Sequence, residues 1–242
     1  MCGRYAVRRD PAALAAEFGA ADRAEGLLAP DYNVTPTRTV PIVVERATAT
    51  GTERSVRPVR WGLVPTWAKD TTSGPPMINA RAETITTKPA YAESAARRRC
   101  LMPATGWYEW KPGDRRRQPH LCARRDGASL AMAAVFSAWW PPSSTAPPLV
   151  TCAVVTIEAV GELAGVHHRM PLVLPREAWS AWLDPARTDA GELLAPDPAV
   201  LDELVLSTVS PEVNTMRNNH PGLLDPVDPL PEPAEQGALF DS

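Results

Sequence analysis

The chain has only four cysteines in 242 residues, and none of them stand together. Cys2, Cys100, Cys122 and Cys152 form no C-x-x-C pair, so the spacing suggests neither a zinc site nor a disulfide framework. Cys100, Cys122 and Cys152 lie in or beside apolar runs and read as buried small hydrophobes. No stretch approaches the roughly twenty apolar residues of a membrane span, and no charged-then-apolar leader opens the chain. The expectation is a cytoplasmic protein with no membrane partner. There is no internal repeat. From Pro221 onward there is no Lys or Arg, while Asp225, Asp228, Glu232, Glu235 and Asp241 accumulate. Without those five acids the body holds 25 basic against 23 acidic residues, so a net charge of −3 hides a mildly basic domain.

What is present is ordinary for a globular protein: 44% hydrophobic and 22% charged residues. Residues 1–220 read as one domain, and the Pro-rich, acidic residues 221–242 as a disordered tail. The arginines of the body come in runs, at 8–9, 97–99, 115–117 and 124–125. Each run is either a solvated face or part of a surface that holds phosphates.

Taken in order, Pro11 at a first turn, Leu14 and Phe18 four apart, and a closing Gly19 predict a helix over 11–19. β-branched residues predict a strand over 39–45, with a hairpin turn near Gly51 and a second strand running from Arg54 towards Trp61. A helix is expected over 90–98 and strands over 120–123, 128–137 and 149–156, the middle one central because it is almost wholly apolar. A last helix, over 176–183, carries Trp179 and Trp182. The polar stretch around Asn214, Asn218 and Asn219 is placed to return to a site.

Several of these stretches carry groups with chemical potential. Removal of the initiator methionine would expose Cys2 as an N-terminal residue, with an α-amine and a thiol that both begin to deprotonate near neutral pH. Such a 1,2-aminothiol condenses with an aldehyde through nitrogen and closes a five-membered thiazolidine through sulfur. Trp61 and Trp67 flank a Gly- and Pro-containing loop where one ring can pack in the core and the other offer a face to a base. Asn79, Arg81 and Glu83 are spaced two apart, which on a strand puts all three on one face. Glu109 lies inside the aromatic cluster Gly106-Trp107-Tyr108-Glu109-Trp110, and burial against rings raises a carboxyl pKa. His167 and His168, adjacent on an extended chain, would face opposite ways, so that one of them addresses a site.

These motifs resemble, in order, those of the SRAP (SOS-response-associated peptidase-like) family. The residues that carry the resemblance are Cys2-Gly3-Arg4-Tyr5, Tyr32-Asn33 with Pro36, Trp61 to Pro65 with Trp67, Asn79 to Thr84, Gly106 to Trp110, and His167-His168-Arg169-Met170-Pro171. The resemblance implies an α+β fold built on a β-barrel-like sheet with short flanking helices. It also implies covalent capture of abasic sites in single-stranded DNA, through a thiazolidine at the N-terminal cysteine. By motif position Cys2 is the nucleophile, and Asn79, Glu109 and His167 complete the catalytic set. Arg4, Asn33, Trp61, Trp67, Arg81 and Arg169 are the expected DNA contacts. The peptidase name then describes at most the removal of what precedes Cys2. No metal or organic cofactor is expected, and the protein is read as a monomer. In the tail, Gln236, Leu239 and Phe240 are similar to the peptide by which bacterial proteins dock on the DNA sliding clamp.

Two other readings stay open on the sequence. One is an N-terminal-nucleophile amidohydrolase, which would turn over an amide without a stable DNA adduct. The other is a noncatalytic DNA-binding module, whose function would survive loss of the Cys2 thiol.

Overall fold

Alternating β-branched and small apolar residues set the architecture. The computed structural model describes residues 3–49, 51–71, 74–112, 114–115, 117–142 and 145–231. In chain order the elements are β1 (Tyr5–Val7), α1 (Pro11–Phe18), β2 (Ala21–Asp22), β3 (Asp31–Val34), β4 (Thr39–Thr48), β5 (Gly51–Trp61), β6 (Asn79–Arg81), α2 (Ala92–Arg97), β7 (Arg99–Ala104), β8 (Gly106–Trp110), β9 (Pro119–Arg124), β10 (Leu130–Trp139), β11 (Leu149–Glu158), β12 (Arg169–Pro171), α3 (Trp179–Leu183), α4 (Pro198–Asp202) and β13 (Leu204–Thr208).

The larger sheet runs β12-β11-β10-β7-β4-β5-β2, and β5 returns to β11 through Thr151↔Arg60 and Cys152↔Trp61. That last pairing closes β11, β10, β7, β4 and β5 into a ring, the barrel expected from the sequence. Both faces of the ring are packed: Val43, Val56 and Leu101 stand across from one another on one face, Met132 and Val154 lie on the other, and all five are fully buried. The predicted central strand is β10, whose small residues Ala131, Ala133 and Ala134 let neighbouring side chains approach closely. Cys100, Cys122 and Cys152 are buried as expected, and burial pushes all three thiols up, away from the reactive range.

Local chemistry fixes the flanking elements. The Asp10 side chain accepts from Ala13 N–H at 2.8 Å, Pro11 fills the first turn, and Gly19 at φ 60° ends α1 in the left-handed conformation. Leu14 and Phe18 thereby face the core, and Phe18 stacks on Trp179 at 4.5 Å. The run 97–99 does not form a phosphate surface as a unit. Arg99 is buried and donates to the carbonyls of Ala95, Ala96, Trp182, Asp184 and Arg187, which ties the end of α2 to α3. Arg124 is likewise committed, to Asp126 and Glu203.

The smaller sheet, β13-β9-β8-β1-β3, leaves the barrel at Thr105, between β7 and β8. Glycine is required at the next position, because a Cβ on Gly106 would lie 2.6 Å from the Cys122 carbonyl oxygen. The ordered body also runs past the boundary read at residue 220. Leu223 is fully buried, Val209 bridges Pro226, and Leu230 N–H donates to Gln118 Oε1 at 2.8 Å. Gln236, Leu239 and Phe240 lie outside the described residues.

Candidate active site

The site begins on the smaller sheet, where β8 alternates sides. Tyr108 and Trp110 face a small cluster with Ala6, Val209, Val213 and Leu223, so Trp107 and Glu109 face the main core. Glu109 is only 6% exposed. Burial pushes its carboxyl up to about 7, against the opposing pull of the positive charge at the chain's N-terminus. β1 lies antiparallel to β8 with Tyr5 opposite Trp107, and Tyr108 N–H donates to the Arg4 carbonyl at 2.9 Å. Continued by two residues, this register sets Gly3 opposite Glu109. Cys2 lies outside the described residues.

The barrel supplies the other wall. The Tyr5 ring meets Trp61 edge-on at 5.4 Å, and Trp61 Nε1 donates to the Ile78 carbonyl at 3.0 Å. Asn79 follows at the head of β6, its carbonyl accepting from the Tyr91 hydroxyl at 2.9 Å. β6 and β12 both pair with the distal half of β11, and His167 stands just before β12. Burial lowers the His167 pKa against the opposing pull of the Arg169 carbonyl, and the N-terminal positive charge and His168 add to the lowering, which favours the neutral imidazole. Its Nδ1 lies 3.0 Å from the Arg169 N–H and 3.1 Å from the Arg169 carbonyl. One backbone residue thus offers a donor to one tautomer and an acceptor to the other.

Five sequence expectations need correction. Trp61 is fully buried and presents no face to a ligand, whereas Trp67 is 66% exposed beside a cleft of about 350 Å³ bordered by Arg60, Lys69 and Met77. Asn33 is buried and acts inside the protein. Its Oδ1 accepts from Arg4 Nη1 at 2.7 Å, and its Nδ2 donates to the carbonyls of Val213, Thr215 and Asn218. Arg169, also buried, is held by both carboxylate oxygens of Glu83, at 2.6 and 3.0 Å, and by the Thr156 carbonyl at 2.6 Å. β6 ends at Arg81, so Glu83 sits in the following turn and does not share a strand face with Asn79 and Arg81. The two histidines do not diverge either: their ring centroids are 4.3 Å apart, because the chain is not yet a strand there.

The order and spacing of these motifs match a known family. Residues 1–216 fit the family described as SOS response associated peptidase (SRAP). The chain belongs to the SRAP family. Abasic site processing protein YoqW of Bacillus subtilis is 33% identical over 230 residues, which cover 93% of this chain and 99% of that one. Abasic site processing protein HMCES of Rattus norvegicus is 31% identical over 251 residues, covering 86% of this chain and 69% of the relative. A protein of solved structure from Bacteroides thetaiotaomicron, 23% identical, has the same fold, with a TM-score of 0.80 over 93% of this chain and all of that one.

Within this SRAP chain the rim of the site is basic. Arg4 is half-buried, donates to the Val213 carbonyl at 2.8 Å and lies 5.7 Å from the Trp110 ring centroid. Burial lowers its pKa, and so does the nearby Arg117 charge. Arg81, Lys111, Arg115 and Arg117 are exposed. The segment expected to return to the site does so. Asn214 accepts from Trp110 Nε1 at 2.7 Å and donates to the Arg117 carbonyl at 3.0 Å, fixing the loop after β8. Sequence reading passed over Gln118, which is buried and holds the C-terminal segment, and His120, the residue paired with Glu109. Treating 106–124 as one hairpin would have exposed that pairing.

Proposed function

We propose that this protein captures abasic sites in single-stranded DNA covalently, with Cys2, freed by loss of Met1, closing a thiazolidine on the sugar. The observation that carries the reading is Glu109, a carboxyl buried beside the strand that leads to the chain start and still protonated up to about pH 7. The names of the relatives, abasic site processing proteins, support the same substrate class.

An abasic sugar must open before its C1′ aldehyde exists, and a protonated Glu109 can supply the proton that its ring oxygen needs. The Cys2 amine then adds to C1′, and the resulting hydroxyl leaves as water when an acid protonates it, forming the C=N bond. The Cys2 sulfur attacks C1′, its proton ends on the former imine nitrogen, and the ring closes with no redox change. His167 suits the intervening proton movements, since Arg169 satisfies either of its neutral tautomers. Asn79 offers an amide to orient the sugar or the amine. Arg4, Arg81 and the exposed Lys111, Arg115 and Arg117 supply positive charge for the flanking phosphates, and Trp67 a face for a neighbouring base.

The test is a denaturing gel of protein mixed with a single-stranded oligonucleotide bearing one abasic site. A heat-stable shifted band from protein whose mass confirms Cys2 at the N-terminus, absent in Cys2→Ala, is expected. No band from such protein would sink the reading.

A further inference from the structure

One turn of the C-terminal segment touches two separate parts of the basic rim. Ser210 caps it, its hydroxyl oxygen accepting from Glu212 N–H at 3.3 Å, and Pro211 fills its first position. Val213 N–H donates back to the Ser210 carbonyl at 3.2 Å. The Val213 side chain is fully buried in the cluster with Tyr108 and Leu223, which seats the turn Pro211–Asn214 on the Tyr108 side of β8.

The consecutive residues Val213 and Asn214 reach two arginines far apart in the chain. The Val213 carbonyl accepts from Arg4 Nη1 at 2.8 Å, and Asn214 Nδ2 donates to the Arg117 carbonyl at 3.0 Å. Trp110 links the two contacts: its Nε1 donates to Asn214 Oδ1 at 2.7 Å, and its ring centroid lies 5.7 Å from the Arg4 guanidinium carbon. Arg117 needs such a hold. Its φ of 53° is left-handed, a conformation unfavourable for a residue with a Cβ, and its N–H is tied to the Asp114 carbonyl at 3.1 Å.

The charges at this turn suit an anion. Arg4 donates to uncharged oxygens, Asn33 Oδ1 and the Val213 carbonyl, and the Arg117 side chain is exposed. Burial lowers the Arg4 pKa and the Arg117 charge lowers it further, against the pull of Tyr108. Like charges gathered on one rim oppose each other until an anion joins them, and a phosphate accepts from two guanidiniums at once. Arg4 follows Cys2 by two residues, which assigns that phosphate to the neighbourhood of the captured sugar.

We propose that Asn214 is a positioning residue for DNA binding: with Val213 it sets Arg4 and Arg117 against a single phosphate beside the abasic sugar, by holding the Arg117 backbone in place. The inference rests on the single-stranded DNA ligand proposed above. Without the Asn214 amide, Arg117 can leave its left-handed conformation, and its guanidinium no longer shares the phosphate with Arg4. The chemistry at C1′ is untouched, so binding weakens while the maximal rate of capture holds.

The test is titration of a fluorescent single-stranded oligonucleotide carrying a tetrahydrofuran abasic analogue, which has no aldehyde to capture, between about 50 and 200 mM salt. Full-length protein beginning at Cys2 is compared with Asn214→Ala, Arg117→Ala, the Asn214→Ala/Arg117→Ala double variant, and Trp110→Phe, which keeps a ring beside Arg4 but loses the donor to Asn214. Single-turnover crosslinking to a true abasic oligonucleotide gives the maximal rate. Asn214→Ala is expected to weaken binding by about tenfold and to lower the slope of log affinity against log salt by about 0.7, one phosphate of a single strand, at an unchanged maximal rate. Arg117→Ala should match it, the double variant should add nothing, and Trp110→Phe should lower the slope in the same direction. If Asn214→Ala does not fold, Trp110→Phe alone and combined with Arg117→Ala carries the comparison. A wild-type salt slope, a loss that adds in full to that of Arg117→Ala, or a lowered maximal rate at unchanged affinity overturns the inference. No adduct from the wild-type chain overturns instead the capture reaction, and the slopes measured on the analogue still decide the role of Asn214.

Discussion

Glu109 is a residue whose usefulness is bound to an energetic cost. Its folded-state carboxyl titrates at about 7 against an ordinary 4.5. Below pH 4.5 both states hold the proton and the group is neutral to stability. Between 4.5 and 7 only the folded state keeps it, so stability falls as pH rises through that window and stays lower above it. A shift of this size corresponds to about 3 kcal/mol. Glu109→Gln is accordingly expected to raise the melting temperature at pH 8 and to converge with wild type below about pH 4.5 in thermal melts at several pH values. The tryptophans separate in the same way. Trp61→Ala should destabilise the fold by about 3–5 kcal/mol in denaturant titrations. Trp67→Ala should leave the melting temperature unchanged and weaken single-stranded DNA binding by about 1–3 kcal/mol per stacked base.

Residue by residue, the burial of Glu109 was legible because its neighbours in sequence are aromatic and the strand they form cannot expose them all. The roles of Asn33 and Arg169 were not. Their chemistry suits phosphates and sugars, but their partners are Val213 and Asn218 in one case and Glu83 and Thr156 in the other. No local pattern reports a partner 86 or 185 residues away.

Among the elements, strands β4, β9, β10 and β11 and helices α1, α2 and α3 fall where apolar periodicity, caps and turn glycines put them. The sequence could not tell how the strands group. The hand-over from barrel to second sheet takes one residue, Thr105, and depends on Gly106. A Cβ there would meet the Cys122 carbonyl oxygen at 2.6 Å, Leu121 Cδ1 at 2.9 Å and Ala123 Cβ at 3.1 Å. The nearest of these is backbone and cannot rotate away. Gly106→Ala should therefore cost about 2 kcal/mol or more in chemical denaturation, and should slow capture by shifting Glu109. Wild-type stability in that variant would show that β8 and β9 can part without consequence.

For the whole molecule, the second sheet meets the closed barrel through Tyr5 of β1, beside β8, whose ring touches Trp61, which in turn holds the Ile78 carbonyl. The segment after 208 braces this arrangement. It holds Arg4 through Val213 and Asn33, and it covers Tyr108 through Leu223, whose carbonyl the tyrosine hydroxyl reaches at 3.4 Å. Composition alone made residues 221–231 look like tail, because Pro and Asp dominate there and the single buried Leu223 carries the packing. A chain ending after 220 should melt roughly 5–10 °C lower, while one ending after 231 should melt with the full-length protein.

The central claim is that both the amine and the thiol of Cys2 bond to one sugar carbon. The most direct test is intact-mass analysis of the adduct with abasic single-stranded DNA, made from protein lacking Met1 and then treated with a thiol-alkylating reagent at low accessibility of the buried cysteines. The account predicts a mass equal to protein plus DNA less one water, with no alkylation at Cys2, because its sulfur is in the ring. An adduct that still takes up the reagent at Cys2, or the absence of any adduct, would contradict it.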